Sequence, residues 1–209
     1  SLAPIKSIAG SLEGMLAREP RPADADEDVR SGLAVIAARA ESLSRFMEAY
    51  ARLARLPAPT LAPVDAGALV RRAASLETRL AIAVDSGPEV SVRADADQIE
   101  QLLINLFRNA VDAAAETGGA VKASWSLAPG GRQVEVRIED EGPGLPPTAN
   151  LFVPFFTTKP GGSGIGLVFA RQIAEAHGGV LALENRRPGP GCRAVLRLPR
   201  SDGLPRARP

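Results

Sequence analysis

Residues 98–114 read QIEQLLINLFRNAVDAA. Ile99, Leu102, Leu103, Leu106, Ala110 and Ala113 recur at helical spacing and supply a core-facing side. Asn105, Asn109 and Asp112 recur at spacings of four and three, so they share one other face. Such residues are poor helix formers, because their short polar side chains compete for backbone hydrogen bonds. Two carboxamides and a carboxylate in a row suggest oxygen ligands for a hard cation or hydrogen bonds to phosphate. A solvated polar stripe is the plainer reading of the same face. An aspartate cap at Asp95 starts the helix, which is expected over 95–116.

Outward from this helix the pattern is mixed α and β. Upstream, a helix is expected over 66–76 and strands over 80–84 and 90–93. Downstream, VKASWSL (121–127) and QVEVRIED (133–140) alternate apolar and polar, separated by Pro129, Gly130 and Gly131, which signals a hairpin. A helix over 163–176 ends at Gly178-Gly179, and two last strands, 180–184 and 194–198, enclose RRPGPGC. Strands cluster about the helices without regular βαβ alternation. The expected fold class is therefore α+β: an α/β sandwich, with helices layered on one face of a mixed sheet.

Pro57, Pro59 and Pro63 force an extended connector. They divide the chain into a segment 1–56, a linker 57–64, a second domain 65–200 and a tail 201–209 expected to be disordered. In the first segment Val29, Leu33, Ile36, Ala40, Leu43, Met47, Tyr50 and Ala54 form a heptad seam. A helix over 26–55 would be roughly 45 Å long. Ile5, Ile8, Leu12, Met15 and Leu16 mark a shorter helix over 5–17, broken by Pro20 and Pro22. This helical hairpin leaves one apolar stripe wet, which a homodimeric four-helix bundle would cover. A hairpin packed on its own C-terminal domain is the alternative.

Twenty-five basic and 24 acidic residues give a net charge of +1, so no overall basic field points to nucleic acid or to an anionic membrane. Cys192 and His177 each stand alone, which excludes a disulfide framework and a zinc cluster and fits a reducing cytosol. No apolar run approaches the ~20 residues that span a bilayer, and SLAPIKSIAG lacks the regions of a signal peptide. A soluble chain is expected. His177, in EAHGG, falls in the last turn of a helix, where the dipole favours partial positive charge and a structural role. Trp125 and Phe46 fit core or interface packing.

Two further constellations follow the asparagine helix. EDEGPGL (139–145) places Gly142 and Gly144 after an acidic strand end, where backbone can pass close to a planar ligand while Asp140 accepts a hydrogen bond from an amino group. A tight turn is the other reading. In FFTTKPGGSGIGLVFARQIAEAHGG (155–179), Gly161, Gly162, Gly164 and Gly166 run into a helix, so backbone N–H groups and the dipole face an anion, and Lys159 adds a charge. The order NxxxNxxD, DxGxG, GxGxG is specific because each member serves a different part of one nucleotide.

These residues resemble the ATP-binding domain of the bacterial sensor histidine kinases, in the wider GHKL family with gyrase, the heat-shock chaperone and the mismatch-repair ATPases. NLFRNAVDAA looks like its asparagine box, DEGPGL the first glycine box, FVPFFTTK the phenylalanine box, GGSGIGL the second glycine box, and RRPGPGCRAVLRLP the closing strand pair. The resemblance implies that Asp140 binds the adenine amino group, that Asn109 holds Mg²⁺ against the phosphates with Asn105 nearby, and that residues 145–162 form an ATP lid. The ATP-binding set it implies is Asn105, Asn109, Asp112, Asp140, Gly142, Gly144, Thr158, Lys159, Gly162, Ser163, Gly164, Gly166 and Leu167. Cys192 and Ala194 depart from the family's usual threonine and phenylalanine. In the hydrolytic relatives a glutamate stands at the place of Asn105, and an amide cannot take a proton. Glu100 lies on roughly the opposite face and is no substitute.

The hairpin resembles the family's dimerisation and phosphotransfer domain, in its nitrogen-regulation-like branch. Ser1, Leu2 and Pro4 match the end of the phosphoacceptor box, whose His-Glu pair would fall just before Ser1, so no catalytic residue of that pair is expected within the chain. The resemblance implies the cytoplasmic core of a two-component kinase that binds ATP and Mg²⁺. It would transfer the γ-phosphoryl group to that histidine and then to a response regulator, as a homodimer with no nucleic-acid partner and no direct membrane contact. The fragment by itself would not autophosphorylate. A catalytically silent nucleotide-binding dimerisation module is the alternative.

Overall fold

The computed structural model describes residues 3–17, 25–54, 56–148, 150–157, 159 and 164–201. The chain forms two compact units, residues 1–55 and 56–209. Among the described residues no helix is long and apolar enough to cross a membrane.

The first unit holds α1 (Ala3–Leu16) and α2 (Ala25–Ala54). Pro4 is tolerated in the first turn of α1, where its missing N–H has no intrahelical partner. Asp26, Glu27 and Asp28 fill the first turn of α2 and complement its dipole. Leu12 is the buried residue of α1, and Gly32 is what lets it approach, since a Cβ there would lie 2.9 Å from the Leu12 methyls. The heptad seam divides in two. Val29, Ile36 and Leu43 are half-buried, whereas Leu33 and Met47 stay 54% and 55% exposed. The break at Pro20 and Pro22, and the side chains of Phe46, Tyr50 and Ala54, lie outside the described residues.

Among the described residues the second unit is a seven-stranded mixed sheet with three α-helices. Its elements are β1 (Ala62–Asp65), α3 (Ala66–Ser75), β2 (Ile82–Val84), β3 (Ser91–Ala94), α4 (Ala96–Thr117), β4 (Val121–Leu127), β5 (Gln133–Asp140), α5 (Gly166–Ala176), β6 (Val180–Asn185) and β7 (Cys192–Ser201), with a short 3₁₀ turn at Asn150–Phe152. The strand order is β1-β3-β7-β5-β4-β2, and β6 pairs with β7. β7 is the axis. Its residues 193–199 pair with β5 on one edge, while β6 and then β3 line the other. Only β2 and β4 run parallel.

The expected hairpin strands at 121–127 and 133–140 appear with those bounds. Elsewhere the structure adds to or shifts the reading. The proline-rich connector ends in a strand: β1 pairs antiparallel with β3, and Pro63 sits on this edge, where a missing N–H leaves no central ladder bond unmade. Ser201, expected in a disordered tail, pairs with Ser91, and residues 202–209 lie outside the described ones. The last helix begins at Gly166 rather than at 163.

Asp65 caps α3 by accepting from Ala68 N–H, and Asp95 caps α4 by accepting from Asp97 and Gln98 N–H. Gly118, at φ +68°, ends α4 in the left-handed conformation. The core-facing side of α4 is as read, with Ile99, Leu102, Leu103 and Phe107 fully buried against Val121, Ile138, Leu196 and Leu198 of the sheet. Trp125 belongs to the core. It is 5% exposed, donates from Nε1 to Pro88 O at 2.9 Å, and carries Arg71 over its ring at 5.3 Å. Thr60 N–H bonds Asp95 Oδ2 at 3.0 Å, and Gln98 Nε2 bonds Pro57 O at 3.0 Å, which pins the connector to the start of α4.

Candidate functional site

The polar face of α4 forms one wall of a cavity of about 760 Å³. Asn105, Asn109 and Asp112 all line it, so the shared face borders a cavity. Ile138, Asp140, Leu183, Cys192 and Ala194 come from β5, β6 and β7. Gly144, Leu145 and Pro146 form one part of the rim, and Phe156, Lys159, Gly164, Gly166 and Leu167 another. Thr158, Gly162 and Ser163 lie outside the described residues.

Asp140 ends β5 and is 5% exposed. Its Oδ1 accepts from Gly142 N–H at 2.9 Å and from Cys192 N–H at 3.1 Å. Its Oδ2 makes no hydrogen bond among the described residues, which leaves one acceptor for whatever occupies the cavity. Burial pushes the carboxyl above the ordinary aspartate range, against the opposing effect of these N–H donors. Beside it, burial pushes the Cys192 thiol up to about 12, and the Asp140 charge adds to the effect, so the thiol is an inert wall atom.

Gly142 and Gly144 also pack closely on protein. At Gly142 a Cβ would lie 2.7 Å from Ala113 Cβ. Gly144, at φ +86°, sits against Asn185, whose Oδ1 accepts from Leu145 N–H at 2.7 Å. Gly191 crosses so tightly over Asp140 that a Cβ would collide with the Asp140 carbonyl oxygen, and this crossing brings Cys192 N–H to the carboxylate.

The start of α5 also lines the cavity. Ile165 precedes it and makes no side-chain capping bond, so the first N–H groups of the helix have no side-chain cap among the described residues. Gly166 and Leu167, in this first turn, line the cavity, and a helix start at a cavity wall suits an anion.

Asp112 differs from an open ligand. Arg79 Nη1 donates to its Oδ1 at 2.7 Å and Lys159 Nζ to its Oδ2 at 3.0 Å. Burial tends to raise this carboxyl, and the two cations outweigh it and hold it below the usual range. Both oxygens are thus committed. The amides of Asn105 and Asn109 make no side-chain hydrogen bond among the described residues, and no three His, Cys, Asp or Glu side chains there converge on a metal position. This donor set fits Mg²⁺, a hard ion commonly held by one or two protein oxygens together with the phosphates that carry it.

Arg79, Glu77 and Asn185 escaped the sequence reading. Arg79 is 33 residues from Asp112 and Asn185 is 40 from Leu145, so no local spacing links them. Glu100, discounted above, pairs with Arg72 and does not line the cavity.

Residues 94–202, just over half the chain, match the family of histidine kinase-, DNA gyrase B- and HSP90-like ATPases, and the chain belongs to that family. It is similar to bacterial sensor histidine kinases. The sensor protein FixL of Bradyrhizobium diazoefficiens is 35% identical over 167 residues, covering 78% of this chain and 30% of FixL. The sensor histidine kinase ZraS of Escherichia coli O157:H7 is 31% identical over 208 residues, covering 94% of this chain and 43% of ZraS. The chain therefore spans less than half the length of these relatives. Among solved structures, full-length ShkA in complex with AMPPNP aligns with a TM-score of 0.66 and 26% identity over 99% of this chain and 45% of that one.

Proposed function

We infer that the cavity binds ATP with Mg²⁺, and that the chain is the ATP-binding and dimerisation part of a sensor histidine kinase. The observation that carries this reading is the Asp140 oxygen left open among the described residues, in a cavity also lined by the start of α5, Lys159 and the amides of Asn105 and Asn109. Asp140 Oδ2 would accept from the exocyclic amino group of adenine. Asn109, with Asn105 beside it, would hold Mg²⁺, which when bound neutralises phosphate charge and favours phosphoryl transfer. Gly164, Gly166 and Leu167 would present backbone donors to the phosphates, joined by Thr158, Gly162 and Ser163 on the family resemblance.

Transfer is favoured over hydrolysis, because the cavity wall carries the amide of Asn105, which cannot draw a proton from water. The acceptor would be a histidine outside these 209 residues, since His177 is 3% exposed and both its ring nitrogens are engaged. The first unit would serve as the dimerisation and phosphotransfer hairpin, and a response regulator would then receive the phosphoryl group. The direct test incubates the chain with γ-labelled ATP, alone and mixed with a longer chain carrying a histidine ahead of Ser1. Acid-labile label on the longer chain alone supports the reading. Steady release of inorganic phosphate by the present chain, with no label transferred, contradicts it.

A further inference from the structure

The Asp112 carboxylate is the middle of a four-residue chain of charges that reaches out of the cavity. Lys159 Nζ donates to Asp112 Oδ2 at 3.0 Å and lies 3.4 Å from the main-chain oxygen of Asn109. On the other side Arg79 Nη1 donates to Asp112 Oδ1 at 2.7 Å. Arg79 is itself held by Glu77, which receives its Nε at 3.0 Å and its Nη2 at 2.7 Å. Asp112 and Lys159 line the cavity, whereas Arg79 and Glu77 do not.

An ammonium carries three protons. Two of those on Lys159 are directed at Asp112 and at Asn109 O, and the third is left for the cavity. The grip that fixes the lysine comes from an anion in the same wall, and an anion there opposes a polyphosphate ligand. Arg79 offsets that opposition: with it, the four charges sum to zero, and without it, the wall gains a negative charge while Asp112 holds Lys159 alone.

We propose that Arg79 and Asp112 are positioning residues for phosphate recognition. Asp112 sets the Lys159 ammonium beside Asn109, and Arg79, from outside the cavity, cancels the Asp112 charge that would repel the ligand. This rests on the nucleotide reading above and adds to it a residue that acts without touching the nucleotide.

The test is calorimetry of a non-hydrolysable ATP analogue with Mg²⁺ on the full chain and on Arg79→Gln, Arg79→Lys, Asp112→Asn and the double variant Arg79→Gln/Asp112→Asn. Arg79→Gln is expected to weaken binding about fivefold, a loss that shrinks as salt is raised. Arg79→Lys, which keeps the charge, should recover most of the affinity. In the Asp112→Asn background the Arg79→Gln change should cost clearly less, because the Asp112 charge is gone and the one anion left uncovered, Glu77, does not line the cavity. An Arg79→Gln affinity equal to wild type overturns the proposal, and so does a loss that persists undiminished in the Asp112→Asn background. If wild type gives no binding at all, the nucleotide reading fails and takes this inference with it, an outcome distinct from wild-type binding that is indifferent to Arg79.

Discussion

His177 Nε2 lies 3.1 Å from the main-chain N–H of Asp95, and His177 Nδ1 lies 2.7 Å from Ile173 O. A backbone N–H can only donate, so Nε2 accepts and Nδ1 carries the proton. The imidazole takes the structural role expected of it at the helix end. It ties the C-terminus of α5 to the cap of α4, and thereby two walls of the cavity to each other. His177→Ala should lower the unfolding free energy by about 2–3 kcal/mol, by leaving the Asp95 N–H without its partner and a buried side chain's space empty. Urea unfolding measures this. Labelled ATP should leave His177 unmodified, and acid-labile label that disappears in His177→Ala would refute the structural role.

Glu135 is 3% exposed on β5, between Arg137 and Arg197, with Arg197 Nε donating to Oε2 at 2.7 Å. Burial acts to raise its carboxyl, and the two guanidinium groups outweigh it and hold it below the usual range. A folded value below the unfolded one stabilises the native state above about pH 4.5, the ordinary value, and the contribution is lost as pH falls through the folded value. Glu135→Gln should therefore be less stable than wild type at neutral pH, with the gap closing on acidification. Parallel stability curves between neutral pH and acid would contradict this.

Gly191 stands at φ +115°, where a side chain is strained, and any Cβ would strike the Asp140 carbonyl oxygen. Gly191→Ala should push β7 away from Asp140, cost about 1–3 kcal/mol, and weaken nucleotide binding through loss of the Cys192 N–H bond. Thermal unfolding and calorimetry on one preparation test both. Unchanged affinity would mean that the crossing does not set the carboxylate.

Leu33 is 54% exposed and Met47 55% exposed on α2, on the half of the heptad seam that α1 leaves uncovered. In a single hairpin Leu33→Asp would change little. In a four-helix bundle it would bury an unpaired charge, at a cost of several kcal/mol. Light scattering should find a wild-type dimer at micromolar concentration and a monomeric variant. A monomeric wild type would remove the bundle from the account.

Much of the second unit is legible in sequence because its signals are local. Period-two alternation marks β4 and β5 to the residue, and the i, i+4, i+7 row of Asn105, Asn109 and Asp112 identifies the cavity wall. Where the reading fell short, the cause is a partner distant in sequence. β1 has no strand pattern of its own and exists through pairing with β3, and Ser201 is ordered by Ser91 across the sheet. Spacing shows that backbone at Gly142 comes close to something, and the fold adds Ala113 as one neighbour it approaches. Arg79 gave no signal, since a single exposed arginine becomes meaningful only when Asp112 is found beside it.

The central claim is that Asp140 Oδ2 is the acceptor that recognises the ligand's amino group while Oδ1 is consumed by Gly142 and Cys192. Asp140→Asn tests it most directly, because the amide oxygen can keep both backbone bonds while its NH₂ replaces the open acceptor with a donor. Titration of a non-hydrolysable ATP analogue with Mg²⁺ into wild type and Asp140→Asn, both confirmed folded by circular dichroism, is the measurement. The account predicts clear binding heat for wild type and affinity at least about tenfold weaker for the variant, the loss of one hydrogen bond to a charged group. No heat for wild type, or equal affinity for the two proteins, would contradict it.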